Sequence, residues 1–402
     1  MIARYELRCS TCNAPAQRHD LPCVACGELL EFALQADAPD APAAREYAAM
    51  VARRRASNDP LDRSGIWRWR ELLPPIPHAS VVTLAEGNVP LYDVPEIAAR
   101  ERIAALAFLH LGMNPTGSFK DLGMTVAISA ARAEGATRAI CASTGNTASS
   151  MAAYAARAGM EAYALVPRGK ISGAKLAQMR DYGVRVVEVE GSFDDALAEL
   201  TSRSGDGAAV VNSINPYRLE GQKCTAFAIL EARSWRVPDW VVVPGGNLGN
   251  SSAIGKGFRE ARALGLIDRL PRIAVVQAEG AAPFVELYRS GADLVPLLPH
   301  TIASAIAVGA PRSWRKARAE LDASQGAAIA VSDDEIDEAK GRIGAAGIGC
   351  EPASAATLAG IVRLRAEGTI GEHDDIVAVL TGHVLKDSDA SLRVADRRDA
   401  DA

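Results

Sequence analysis

Residues Leu111 to Met124 read LGMNPTGSFKDLGM, and the setting of the single lysine among them governs how the rest of the chain is read. An apolar run, Ile103 to Leu109, leads in as a buried strand. Asn114, Pro115 and Gly117 break it, as turn residues do. An Ala-rich amphipathic segment, roughly Asp121 to Arg132, then follows as a helix. Lys120 therefore stands where a strand-to-loop turn meets a helix start, and a helix start disfavours a cation. Two readings fit: an ordinary solvated lysine in a turn, or a nucleophilic amine that must be neutral part of the time. Lowering a lysine pKa from ~10.4 to roughly 7.5 takes about 4 kcal/mol of differential interaction. Desolvation and the positive end of the helix dipole both push that way.

Further apolar runs alternate with helical stretches: Ala139–Ala142, Ala162–Val166, Val184–Val189, Ala208–Val211, Trp240–Val243, Ile273–Val276 and Ile376–Leu380. The spacing implies crossover helices and parallel sheets. Ligands in such sheets sit beyond the carboxyl ends of strands, and four polar segments fall there. Ser143-Thr144-Gly145-Asn146-Thr147 precedes a helix from about Ala148 to Ala158 and offers hydroxyls and N–H groups to an anion. A plain N-cap needs only one of these residues. Gly245-Gly246-Asn247-Leu248-Gly249-Asn250 follows Trp240–Pro244 and leads into a helix near Ser251, an arrangement able to wrap an anion. It matches neither a P-loop nor GxGxxG. Asn212-Ser213-Ile214-Asn215-Pro216-Tyr217-Arg218 supplies a guanidinium fork suited to phosphate, although on the residues alone pairing of Arg218 with Glu220 or another acid is the safer reading. Thr381, in Leu380-Thr381-Gly382-His383, brings a hydroxyl to the end of the last strand.

Near the N-terminus, Cys9-Ser-Thr-Cys12 and Cys23-Val-Ala-Cys26 form two CxxC pairs. Two such knuckles complete a tetrahedral zinc site, and so short a segment needs a metal to fold. Disulfides or iron are the alternatives. Four cysteines fill the site, so His19 is not needed and no catalysis is assigned to it. Cys141, Cys224 and Cys350 read as buried apolar side chains. The chain has 402 residues, is 49% hydrophobic and carries a net charge of −5. It has no long basic run, which argues against nucleic acid as a partner. No apolar run reaches membrane-spanning length and no signal peptide is visible. Cysteine usage suits a reducing compartment, so a cytoplasmic location is expected.

NPTGSFKD, CASTGNT, NSINPYRLEGQK, VVVPGGNLGN, EPASAA and LTGHVLKD occur in this order. Over about Leu61 to Asp387 the chain thereby resembles the threonine synthase family, within the fold type II pyridoxal-phosphate enzymes, and its plant-type branch most closely. The resemblance implies an α/β fold: two open, twisted, mostly parallel sheet domains of the tryptophan synthase β type, preceded by a zinc-ribbon-like module. The expected boundaries are 1–34 for that module and 35–110 for a linker and extension belonging to the large domain. A smaller domain at 111–206, the large domain at 207–387 and a frayed charged tail at 388–402 follow.

The resemblance also assigns roles. Lys120 would hold pyridoxal 5'-phosphate. Gly245, Gly246, Asn247, Leu248, Gly249 and Asn250 would cradle its phosphate. Thr381 would meet the pyridine nitrogen, and Asn146 would lie near the phenolic oxygen. Ser143, Thr144, Asn146 and Thr147 would take the substrate carboxylate, and Asn212, Ser213 and Arg218 its phosphate. The implied reaction converts O-phosphohomoserine and water to threonine and phosphate, in a homodimer. A threonine or serine dehydratase and a cysteate synthase are the alternatives in the same fold. One departure is Val384, where the family commonly has glycine after the histidine.

Overall fold

The computed structural model describes residues 3–17, 21–35, 41–167, 173–190 and 207–400. His19 and residues 191–206, which entered the readings above, lie outside these. The strands are β1 (Arg4–Cys9), β2 (Leu30–Gln35), β3 (Leu91–Asp93), β4 (Ala105–His110), β5 (Arg138–Ala142), β6 (Glu161–Pro167), β7 (Arg185–Val189), β8 (Ala208–Val210), β9 (Trp240–Pro244), β10 (Arg272–Ala278), β11 (Ala327–Val331) and β12 (Asp375–Leu380).

The chain divides into two compact units. The first comprises Met1–Asn88, Asn114–Cys224 and Ala263–Gly265. Its main sheet runs β7-β6-β5-β8, all parallel. The separate pair β1–β2 is antiparallel, with Arg4 opposite Gln35 and Cys9 opposite Leu30. Leu29 joins Ile140, Leu165, Val210 and Ile214 in one apolar cluster, so the N-terminal ribbon packs on the four-stranded sheet.

The second unit comprises Val89–Met113, Thr225–Arg262 and Leu266–Ala402. Its sheet runs β11-β10-β9-β12-β4-β3. All neighbours are parallel except the short edge strand β3. Trp240-Val-Val-Val-Pro244 is buried along its whole length, as expected of a strand covered by helices on both faces. Strands β9 and β12 are direct neighbours, so the segments that follow them emerge side by side.

Several boundaries differ from the sequence reading. Residues 41–88 group with the first unit, not with the large domain. The ties are side-chain bonds far apart in sequence: Trp67 Nε1 donates to Thr125 Oγ1 (2.8 Å), and Ser129 Oγ accepts from the Val82 N–H (2.8 Å). The second boundary falls inside the Pro216–Ala232 helix, after Cys224, rather than at residue 207. The tail is a helix, Ser388–Ala400, in place of the frayed end expected from its charge. Ala390 is buried and Ser391 accepts a hydrogen bond from Lys340 Nζ (3.2 Å). Arg54 pairs with Glu71 at 2.5 Å. Strands β1, β2, β3 and β11 were not anticipated. Cys141, Cys224 and Cys350 are buried thiols, as expected. No described helix is long and apolar enough to cross a membrane.

Candidate active site

In the first unit, Lys120 opens the Lys120–Ala133 helix directly, with Phe119 before it and no capping side chain. Its ammonium lies 4.0 Å from the Phe119 ring centroid, and the residue is half-buried. The next residue, Asp121, is fully buried. Its carboxylate accepts from the Thr116 N–H (2.7 Å), Thr116 Oγ1 (2.6 Å) and Ser150 Oγ (2.6 Å). Burial pushes the Asp121 carboxyl up to about 6, and the three donors only partly oppose it. Asp121 thus fastens the Lys120 turn to the Asn146–Ala158 helix that carries Ser150. Tyr154 of the same helix donates to buried Glu86 (2.7 Å), which also accepts from Ser64 Oγ (2.5 Å) and Thr83 Oγ1 (3.0 Å).

That helix begins at Asn146, two residues earlier than its sequence pattern implies, so Asn146 and Thr147 form its first turn. Gly145 precedes it and no side chain caps it. The hydroxyls of Ser143, Thr144 and Thr147 are therefore not spent on the cap, and all five loop residues are half-buried. An uncapped helix start lined by hydroxyls is chemically suited to an anion.

Strands β5 and β8 are parallel neighbours, which brings residues 143–147 and 212–218 to one end of the sheet. Asn212 ties them: its Oδ1 accepts from the Ala142 N–H (2.8 Å) and its Nδ2 donates to the Ala142 carbonyl (3.2 Å). Both amide atoms are thus engaged with the end of β5. Arg218 is 2% exposed. Its Nη1 donates to the Val211 carbonyl at 3.3 Å, while Nε has no hydrogen-bond partner among the described residues. No described carboxylate pairs with it. Glu220, the partner allowed for in the sequence, instead binds fully buried Lys223 at 2.6 Å. Burial without a counter-charge pushes the Arg218 guanidinium down to about 10. A buried cation left this way is destabilising unless an anion joins it.

Sequence reasoning missed what holds Lys120 and Arg218 in one frame. The helices that begin at Lys120 and Pro216 cross with their backbones in contact. A Cβ on Gly221 would lie 1.8 Å from the Leu122 carbonyl oxygen, and one on Gly123 would lie 2.5 Å from that of Arg218. Two glycines at different helix positions carry no local signal of such a crossing.

In the second unit, residues 245–250 leave the carboxyl end of β9 and enter the Gly249–Ala263 helix. Gly245 N–H is held by the Val276 carbonyl (2.7 Å), and a Cβ there would strike Val275 at 2.5 Å. Asn247 Oδ1 accepts from the Arg312 N–H (2.6 Å). Leu248 takes φ +63°, an uncommon conformation for a branched-chain residue and one found at ligand-gripping loops. Asn250 is buried, yet neither its amide oxygen nor its amide nitrogen has a partner among the described residues. An orphaned amide at a helix start, beside glycines that admit close approach, fits a bound phosphate ester.

Thr381 follows β12 and is buried, with its hydroxyl 3.2 Å from Ser354 Oγ and 3.4 Å from Glu351 Oε1. His383 is half-buried. Val384 packs on Gly349, where a Cβ would sit 2.8 Å from Val384 Cγ1, so a missing side chain opposite accommodates this departure.

The four N-terminal cysteines hold their sulfurs within 4.8 Å of one another. The Cys9–Cys26 and Cys12–Cys23 separations are 3.4 and 3.8 Å, against about 3.8 Å between ligands of a tetrahedral zinc–thiolate centre. The N–H groups of Thr11 and Cys12 point at Cys9 Sγ, both at 3.4 Å, the arrangement that steadies a thiolate in a metal knuckle.

The family described as pyridoxal-phosphate dependent enzyme matches residues 82–382. The threonine synthase of Methanocaldococcus jannaschii is 46% identical over 336 residues, covering 83% of each chain. That of Synechocystis sp. is 45% identical over 342 residues, covering 82% of this chain and 87% of its own. That of Mycobacterium tuberculosis is 41% identical over 331 residues, covering 81% and 89%. Among solved structures, the processed form of threonine deaminase isoform 2 from Solanum lycopersicum superimposes with a TM-score of 0.66 at 21% identity, over 94% of this chain and 99% of that one. Maize serine racemase gives 0.65 at 19%, over 90% and 99%. At such identities these two establish the fold alone.

Proposed function

This chain belongs to the pyridoxal-phosphate dependent enzymes and, within them, to the threonine synthase family; from that premise we propose that it converts O-phosphohomoserine and water to threonine and phosphate. Bound pyridoxal 5'-phosphate supplies an electron sink for negative charge developing on substrate carbons. Lys120 would hold its aldehyde carbon. The 245–250 loop, with Asn250, would take its phosphate, and Thr381 would face its ring nitrogen. The Lys120 amine, free of the cofactor when substrate is bound, would take the substrate's Cα proton. A proton then leaves Cβ and phosphate leaves Cγ. Water adds at Cβ, a proton returns to Cγ, which becomes the methyl group of threonine, and Lys120 gives a proton back to Cα. Ser143, Thr144, Asn146 and Thr147 orient the substrate carboxylate. Arg218 and Ser213 bind the departing phosphate, with Asn212 fixing their segment. The cysteine cluster holds a structural zinc ion, and its four ligands leave no open position.

The observation that carries this reading is Arg218, a fully buried guanidinium with no described acid partner in the unit that also holds Lys120 and the uncapped 146–158 helix. A dehydratase acting on threonine or serine has no use for a second anion site. The test is turnover of O-phosphohomoserine by the purified holoenzyme, with a Lys120→Ala control. O-phosphoserine with sulfite, and threonine alone, are run in parallel. Equal amounts of threonine and phosphate, absent in the variant, are expected. Turnover confined to threonine alone, or to O-phosphoserine with sulfite, would overturn the assignment.

A further inference from the structure

The N-terminal ribbon touches the chain where the phosphate site is built. Phe32 on β2 meets the Tyr217 ring at 4.8 Å between centroids, one residue before Arg218. Leu29 shares an apolar cluster with Val210 and Ile214, which flank Asn212 and Ser213. On β1, Tyr5 receives a hydrogen bond from Lys223 Nζ (2.9 Å) and lies under that ammonium at 4.3 Å from its ring centroid. The Tyr5 hydroxyl in turn donates to the Leu72 carbonyl (2.9 Å). Lys223 is fully buried and ion-paired with Glu220. The ribbon therefore grips the chain on both sides of Arg218, at 217 and at 223. A two-stranded ribbon is marginal by itself, so its grip depends on whatever closes Cys9, Cys12, Cys23 and Cys26 together. The helix crossing fixes the Arg218 main chain, but among the described residues its side chain makes a single hydrogen bond, to the Val211 carbonyl, so the guanidinium's place also depends on this surround.

We propose that the metal-closed ribbon tunes substrate affinity, with Phe32 and Tyr5 acting as positioning residues for the phosphate site at Arg218. The proposal rests on the reading of Arg218 as a phosphate ligand. The ribbon holds the start of the 216–232 helix and the 212–218 segment at the spacing a phosphate needs. Loss of the metal loosens that spacing without touching Lys120 or the residues proposed to hold the cofactor.

The test uses holoenzyme with its cofactor bound, before and after metal removal by a chelator, alongside Phe32→Ala and Tyr5→Phe with metal retained. Inorganic phosphate serves as a competitive inhibitor. Expected are rises of about tenfold in the phosphate inhibition constant and in KM for O-phosphohomoserine, the scale seen when an outer supporting group is lost. The kcat and the bound-cofactor absorbance stay near their starting values, and Phe32→Tyr, which keeps the ring, restores affinity. Unchanged phosphate inhibition in metal-free enzyme and in Phe32→Ala overturns the proposal. So does a parallel fall of kcat, cofactor content and unfolding midpoint, which marks a merely structural ribbon. Should the metal-free chain unfold, Phe32→Ala and Tyr5→Phe decide the matter by themselves. An Arg218→Gln control separates the two levels: if it leaves phosphate inhibition intact, the phosphate-site reading itself fails. If it abolishes inhibition while the ribbon variants do nothing, only the ribbon proposal fails.

Discussion

The two units each set a loop at the carboxyl ends of neighbouring parallel strands, yet they leave different groups unsatisfied. In the first unit the orphan is a charge, the Arg218 guanidinium, beside an uncapped helix. In the second it is a neutral amide, Asn250, in a glycine-rich turn whose other polar groups are largely engaged by the sheet and by Arg312. A buried unpaired charge costs several kcal/mol and keeps its site ready for an anion that comes and goes. An orphan amide costs less and suits a group that stays. The contrast is the one expected if the first corner takes the proposed substrate phosphate and the second the proposed cofactor phosphate.

The sharpest way to break this contrast is Arg218→Met. Removing an unpaired buried charge should raise the unfolding free energy by about 1–3 kcal/mol. At the same time KM for the phosphorylated substrate should rise by about a hundredfold, as for other lost partners of a desolvated anion. Urea unfolding and steady-state kinetics on the same preparation check both halves. A variant that loses stability would mean that Arg218 has a structural partner, and the corner would lose its special status.

Asp121 offers a second test. Its folded-state carboxyl titrates near 6, above the unfolded value of about 3.9. The folded chain therefore binds the extra proton between these values. Its contribution to stability is fully present below about pH 4 and is lost as pH rises through about 6, some 3 kcal/mol in all, roughly. In Asp121→Asn this slope should vanish from the difference between unfolding free energies measured at pH 4 and pH 7. The smallest expected effect is at the cofactor corner. Asn250→Ala should weaken cofactor binding about tenfold, equivalent to roughly 1.4 kcal/mol, with substrate KM unchanged once cofactor saturates. Absorbance titration measures the first and initial rates the second.

Much of this was legible from local pattern. The runs around β4, β5, β6, β9, β10 and β12 are apolar and bounded by turn residues, and each is a strand within two residues of its reading. Lys120 stands at a helix start because Asn114, Pro115 and Gly117 end one element and an alanine-rich stretch begins the next. What escaped was what depends on partners distant in sequence. Strand β11, Ala327–Val331, is short and alanine-rich, and only its pairing with β10 makes it a strand. The three-residue β3 exists because β4 offers it an edge. The charged tail folds because the helix carrying Lys340 gives it a surface. Asn212 looked like a ligand by type, but its amide completes the end of β5 instead. Arg218 needed the structure for its burial, although the i,i+3 spacing of Glu220 and Lys223 already favours that pair over Arg218 with Glu220.

The crossing of the 120–133 and 216–232 helices has a consequence for how this scaffold can change. The separation between the lysine amine and the guanidinium is gauged by two absent methyl groups, at Gly123 and Gly221. The atoms they would strike are main-chain carbonyls, which no rotamer change can move aside. A library randomised at Gly221 should therefore return glycine almost alone, however permissive the selection. The loops and the ribbon have room to drift, while the gauge between Lys120 and Arg218 stays frozen.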